Sequence, residues 1–169
     1  MRKKLADAVR KTFKDVLVSV VPDFQAIEVE GLPKGCRVFE RKLENGSSGF
    51  ILLIVSPKYD EFTLELAWSQ KGIFPVNWGG ITLPDDPPIN GDHRFRMQRI
   101  WGENIGEDKW WNIGSKLDDN DWLDLNAILE MDLLEDEALA KVGPQVMDAV
   151  KKIERYAIPY LDTMPPKND

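Results

Sequence analysis

A chain of 169 residues with 43% hydrophobic and 30% charged side chains can bury roughly 70% of its unfolded surface, so neither disorder nor a disulfide framework is implied. The single cysteine, Cys36, excludes an internal disulfide and a thiolate-rich metal site, and the single histidine, His93, excludes a multi-histidine one. The net charge of −7 is unevenly spread, basic over residues 1–15 and strongly acidic over 116–141; an acidic surface repels phosphate backbones, which disfavours nucleic acid as a partner.

Leu5, Val9, Phe13, Val16, Leu17 and Val20 recur at spacings of three and four, which predicts a first helix with one apolar stripe. Pro22 stops it. Asp7 and Arg10 break any apolar signal region, and no run approaches the ~20 residues of a membrane span, so a soluble, cytoplasmic protein is expected. Strand signals follow. "GCRVFERKLE" alternates, with Phe39, Arg41 and Leu43 on one face, and "NGSSG" at 45–49 supplies turn chemistry. "FILLIV" at 50–55 is a short apolar run, as expected of a central strand covered on both faces. "FTLELAWS" points Phe62, Leu64, Leu66 and Trp68 one way and Thr63, Glu65, Ala67 and Ser69 the other.

Residues 71–92 carry repeated Pro and Gly without periodicity. Such a stretch is either a binding loop or a structural wrap pinned by Phe74, Trp78 and Ile81. "HRFRMQRIW" then reads as a further strand, with His93, Phe95, Met97 and Arg99 on one face and Arg94, Arg96 and Gln98 on the other. Trp122, Leu125, Ile128, Leu129 and Leu133 form a helical stripe behind an Asp-rich start. "GP" at 143–144 restarts the chain, with Pro144 in the first turn of a last helix whose buried face is Val146, Met147, Val150, Ile153 and Ala157. Pro159 ends or kinks that helix. The expected fold is a single α+β domain over 1–162 with a flexible tail at 163–169. An antiparallel meander sheet of four to five strands is packed by an N-terminal helix and two C-terminal helices.

Several chemistries lack their residues. No phosphate-binding glycine loop opens a helix, no "HExxH" exists, and Ser69 and Ser115 lack a nucleophile elbow. A Cys36–His93 pair is formally available, beside the simpler reading of a structural thiol. No cofactor is implied, and a non-catalytic role is favoured over an enzyme.

The succession "RVFERKLENG", "FILLIVSPKYDEFTLELAWS", "RMQRIWGENIGEDKWWNI" and "VMDAVKKIERYAIPYLDTM" resembles the bacterial domain of unknown function 4304 family. The matching positions are Phe39 and Arg41; Phe62, Thr63, Leu64 and Leu66; Arg96 and Arg99; Asp108, Trp110 and Trp111; and Ala157, Ile158, Pro159 and Tyr160. The resemblance spans about residues 8 to 162. It implies a small α+β domain with no established catalytic activity. Related small α+β families include immunity proteins, so it also implies a binding role.

Two candidate sites result. Arg94, Arg96 and Arg99, with His93, Trp110 and Trp111, can form an anion site of guanidinium groups and indole rings under the 71–92 loop; equally, the arginines can pair with Glu65 or Glu40 of neighbouring strands. Adjacency sends the two tryptophans to different sides, one to the core and one to stack on Arg99 or a ligand. Asp118, Asp119 and Asp121 can attract a basic protein partner, or simply form a solvated helix face. The basic residues Arg2, Lys3, Lys4, Arg10, Lys11 and Lys14 leave nucleic-acid contact as a third option.

Overall fold

The computed structural model describes residues 2–56, 60–76, 82–101, 109–114 and 135–166. Helix α1 (Arg2–Val20) leads into strands β1 (Gln25–Ile27), β2 (Cys36–Lys42), β3 (Ser48–Ser56), β4 (Glu61–Ser69), β5 (Asp92–Arg96) and β6 (Trp111–Asn112). Helix α2 (Glu135–Lys152), a π-helical turn (Ile153–Ala157) and helix α3 (Ile158–Asp162) close the described chain. The fold is α+β: an N-terminal helix, a five-strand antiparallel meander with a sixth short strand, and a joined C-terminal helical region.

Sheet order follows chain order from β1 to β5, each strand running antiparallel to its neighbours. The run at 50–55 is the central strand, β3, and its two faces feed two clusters. Ile51, Leu53 and Val55 face α1 and α2 in the main core, while Phe50 and Leu52 join Val38, Ala67 and Phe74 on the other side. Phe62, Leu64, Leu66 and Trp68 of β4 all enter the main core, as their alternation predicts. Phe13 of α1 meets Phe39 of β2 with ring centroids 5.4 Å apart.

The β2–β3 turn is shorter than "NGSSG". Gly46 adopts φ 82°, which suits glycine, whereas Ser48 and Gly49 already pair in β3 with Lys42 and Arg41. Gly49 has a different use: a Cβ there would stand 2.5 Å from Leu161 Cδ1, so its bareness lets the C-terminal helix reach the sheet. Two short strands, β1 and β6, have no counterpart in the sequence reading. Three- and two-residue segments carry too few alternations to register, and pairing alone defines them.

Three expectations need correction. The fifth strand ends at Arg96, and Met97–Ile100 form a 3₁₀ turn, so alternation does not assign Met97, Gln98 and Arg99 to faces. Both Met97 and Gln98 are buried. The chain does not restart at Gly143–Pro144 either, since α2 runs straight through them. Pro144 forfeits one helix hydrogen bond, but Ala138, Val142, Val146, Ala149 and Val150 bury one continuous apolar face that packs on α1. Met147 is not part of that face; it is 37% exposed, and Ala149 takes the buried place. Pro159, which lacks an N–H, does not end the helix. Just before it the Ile158 N–H donates to the Ile153 carbonyl five residues back, the widened turn of a π-bulge, and α3 continues to Asp162. The predicted helix through Trp122 and Leu133 lies outside the described residues, as do Trp78 and Ile81.

Candidate functional site

The sheet face turned away from the helices carries the arginine row. Alternation puts Arg94 opposite Ala67 and Arg96 opposite Glu65 on β4, and both guanidinium groups converge on that carboxylate. Arg94 Nε lies 2.6 Å from Glu65 Oε2, and Arg96 Nη1 lies 3.3 Å from Glu65 Oε1. Glu40, the other carboxylate the sequence suggests, instead pairs with Lys42. The Arg94 and Glu65 side chains are each only 14% exposed. Losing one partner of such a pair leaves a charge in a poorly solvated place and costs on the order of 3 kcal/mol.

Arg94 has further acceptors. Its Nη1 donates to the carbonyls of Pro75 at 2.9 Å and Val76 at 3.1 Å, and its guanidinium sits 5.1 Å over the Phe74 ring. It therefore staples the 71–76 segment to the sheet. Phe74 completes the wrap by meeting Phe50 edge-on, 5.6 Å between centroids. Arg99 does the same on the far side of the loop, donating from Nη1 to the Thr82 carbonyl at 2.7 Å, while Thr82 Oγ1 donates to the Arg94 carbonyl. In the described part of 71–92, charged and aromatic side chains bind the segment to the sheet.

His93 points to the opposite face. It is 1% exposed, its ring is 5.0 Å from Phe95, and its Nδ1 lies 3.1 Å from the Tyr160 hydroxyl. That hydroxyl donates to the Pro84 carbonyl at 2.9 Å, so it accepts from His93 Nδ1. The pair links β5, α3 and the 82–86 loop. Burial pushes the imidazole below its ordinary value, against an opposing pull from the Leu83 backbone and the Asp86 charge. Burial also pushes the Tyr160 phenol up to about 12, with Asp85 adding to the shift. Both groups are neutral at pH 7.

Cys36 belongs to the second-face cluster on β2, whereas His93 faces the main core on β5, so no Cys–His nucleophile pair forms. Burial, then the Glu65 charge, raises the thiol and keeps it protonated.

The two tryptophans divide as adjacency requires. Trp111 is buried, stacks on Phe62 at 5.2 Å and 11°, and donates from Nε1 to Asp148 Oδ2 at 2.8 Å, tying β6 to α2. Asp148 also accepts from Lys152 at 2.6 Å. Trp110 is half-buried and lies under Arg96, 5.6 Å from guanidinium carbon to ring centre. The stacking partner is thus Arg96, not Arg99, because Arg99 has left the strand on the 3₁₀ turn. Among the candidates, Arg94, Arg96, Trp110 and Glu65 share one locality; His93 and Trp111 face the core; Asp118, Asp119 and Asp121 lie outside the described residues.

A second locality escapes motif reasoning. At the β2–β3 end of the sheet, an open depression of about 610 Å³ is bounded by Asn45 and by the charged Asp23, Arg41, Lys42, Glu44 and Asp162. Arg41 Nη1 reaches Asp162 Oδ1 at 2.7 Å, and its Nε stands 3.8 Å from Asp23 Oδ2. In sequence these residues are only turn formers and surface charges, and the turn brings them beside α3. Among the described residues no group of three or more His, Cys, Asp or Glu side chains is placed to hold a metal ion, and no helix is long and apolar enough to cross a membrane. No protein-family model, no curated protein and no solved structure matches this chain.

Proposed function

We propose that this protein is a non-catalytic, cytoplasmic binding module, immunity-like in manner, that engages a basic protein partner through the acidic stretch at 116–141. One observation carries the reading. Residues 116–141 hold nine acidic side chains and two lysines, whereas the other 143 residues balance twenty against twenty. The whole net charge of −7 therefore resides in one stretch of the chain, as electrostatic steering of a partner would favour. The leading alternative, a small anion held by Arg94, Arg96 and Arg99, loses ground because Arg94 and Arg96 are already ion-paired with Glu65 and Arg99 already donates to the Thr82 carbonyl. The resemblance to the bacterial domain of unknown function 4304 family is part of the same proposal.

The test begins with capture of a partner from cells by the wild-type chain, followed by titration of that purified partner. Affinity should fall about tenfold or more between 50 and 200 mM salt. It should fall by a similar factor on reversing Asp118→Lys, Asp119→Lys and Asp121→Lys together. A control triple, Glu28→Lys, Glu30→Lys and Glu44→Lys, changes net charge equally and should leave most of the affinity. If both triples weaken binding alike, or neither does, the acidic stretch is not the docking face.

A further inference from the structure

Residues 164–166 are held to the sheet end by side-chain amides. Asn45 Nδ2 donates to the Met164 carbonyl at 2.8 Å and reaches the Pro165 carbonyl at 3.3 Å, and Gln70 Nε2 donates to the Pro166 carbonyl at 3.2 Å. Three successive carbonyls of one segment are therefore read by two amide groups from different connections of the sheet.

The Asn45 donor is aimed by a buried relay. Its Oδ1 accepts from Ser47 N at 3.0 Å and from Ser47 Oγ at 2.6 Å, which turns the amide nitrogen outward. Ser47 Oγ in turn accepts from Trp68 Nε1 at 2.9 Å, and both Ser47 and Trp68 are buried. The bound segment complements this donor set. Pro165 and Pro166 have no N–H, so they present carbonyls only, and their rings fix φ near −65°, which lowers the entropy lost on binding.

We propose that the surface carrying the Asn45 and Gln70 amides is a recognition site for extended, proline-containing segments of another chain, and that Met164–Pro166 occupies it in cis. Three features support a site that exchanges its occupant. The contacts are to backbone carbonyls, so they do not require this particular sequence. Pro165 and Pro166 remain exposed while bound, and Met164 is only half-buried, so their release uncovers little apolar surface. The 610 Å³ depression beside the site shares Asn45 as a wall. A tethered segment acts at an effective concentration in the millimolar range, so it masks the site against weak competitors. The site uses none of residues 116–141, and each proposal can fail without the other.

The experiment keeps the full chain and loosens the cis segment with Met164→Ser, Pro165→Gly and Pro166→Gly. The probe is a synthetic peptide of residues 162–168. The loosened chain should bind it about tenfold or more tightly than the wild type does, with NMR shifts at the Asn45 and Gln70 side-chain amides and the Trp68 indole. Adding Gln70→Ala or Asn45→Ala should remove the gain; Gln70→Ala lies outside the β2–β3 turn and serves if the turn variant fails to fold. A peptide with both prolines replaced by glycine should bind more weakly. A folded, loosened chain that binds no better than wild type overturns the proposal. So does a gain indifferent to both amide substitutions or to the prolines.

Discussion

His93 illustrates how a residue's neighbours reverse its first reading. A lone histidine among arginines suggests an anion or catalytic site, but its ring is enclosed by Phe95 and Tyr160 and is held neutral. The sign of the pH effect follows. Because burial lowers the folded value below the ordinary 6.5, the unfolded chain takes up the proton first as pH falls. His93 therefore contributes fully to stability above 6.5, and that contribution declines below it until the folded value is reached. Denaturant unfolding at pH 7.5 and 5.5 should show the loss, and a His93→Gln variant should show a clearly smaller one. A variant with the same pH slope as wild type would place the effect elsewhere. In sequence, His93 showed only its strand position among arginines; the hydroxyl that its ring meets, on Tyr160, lies 67 residues away. Glu65 was legible as a partner for Arg94 and Arg96 because strand alternation alone aligns them.

At the scale of elements, long periodic segments were legible and interruptions were not. The α1 stripe and the β3 and β4 patterns repeat enough times to specify both type and buried face. Gly143–Pro144 reads locally as a break, yet α2 persists because its apolar positions on both sides of that dipeptide pack on α1. The helix therefore carries a residual weakness at this point. A Cβ at Gly143 would meet nothing within 4 Å, so Gly143→Ala should add about 1 kcal/mol by reducing the freedom of the unfolded chain. That corresponds to a rise in Tm of about 3 °C for a chain of this length, readable by thermal denaturation. No gain would mean that α2 needs the glycine's backbone conformation.

For the whole molecule, the sheet is covered unequally. Among the described residues, one face meets two helices, while the other is covered by loop side chains, with Phe74 the most buried of them, under Arg94. Phe74→Ala should remove about 3 kcal/mol of stability and uncover Phe50 and Leu52. Binding of a hydrophobic dye should rise while the helical far-ultraviolet signal is retained. Loss of both signals together would show that this cover is required for the sheet itself. Arg94 and Arg99 are engaged in securing this covering segment, through the Pro75, Val76 and Thr82 carbonyls.

The sequence by itself determined the α+β class, the meander, the central position of β3 and the sorting of β4 side chains between faces. All of these follow from local periodicity, which burial on one or both faces imposes directly on residue order. Only the tertiary structure decided what the opposing side chains do. Whether Arg94 is a ligand donor or a staple, whether Trp110 stacks on Arg96 or Arg99, and whether "NGSSG" is only a turn or also the mount for Asn45 depend on partners brought close by folding. Those partners lie from a few to more than a hundred residues away, and no local pattern encodes the distance between them.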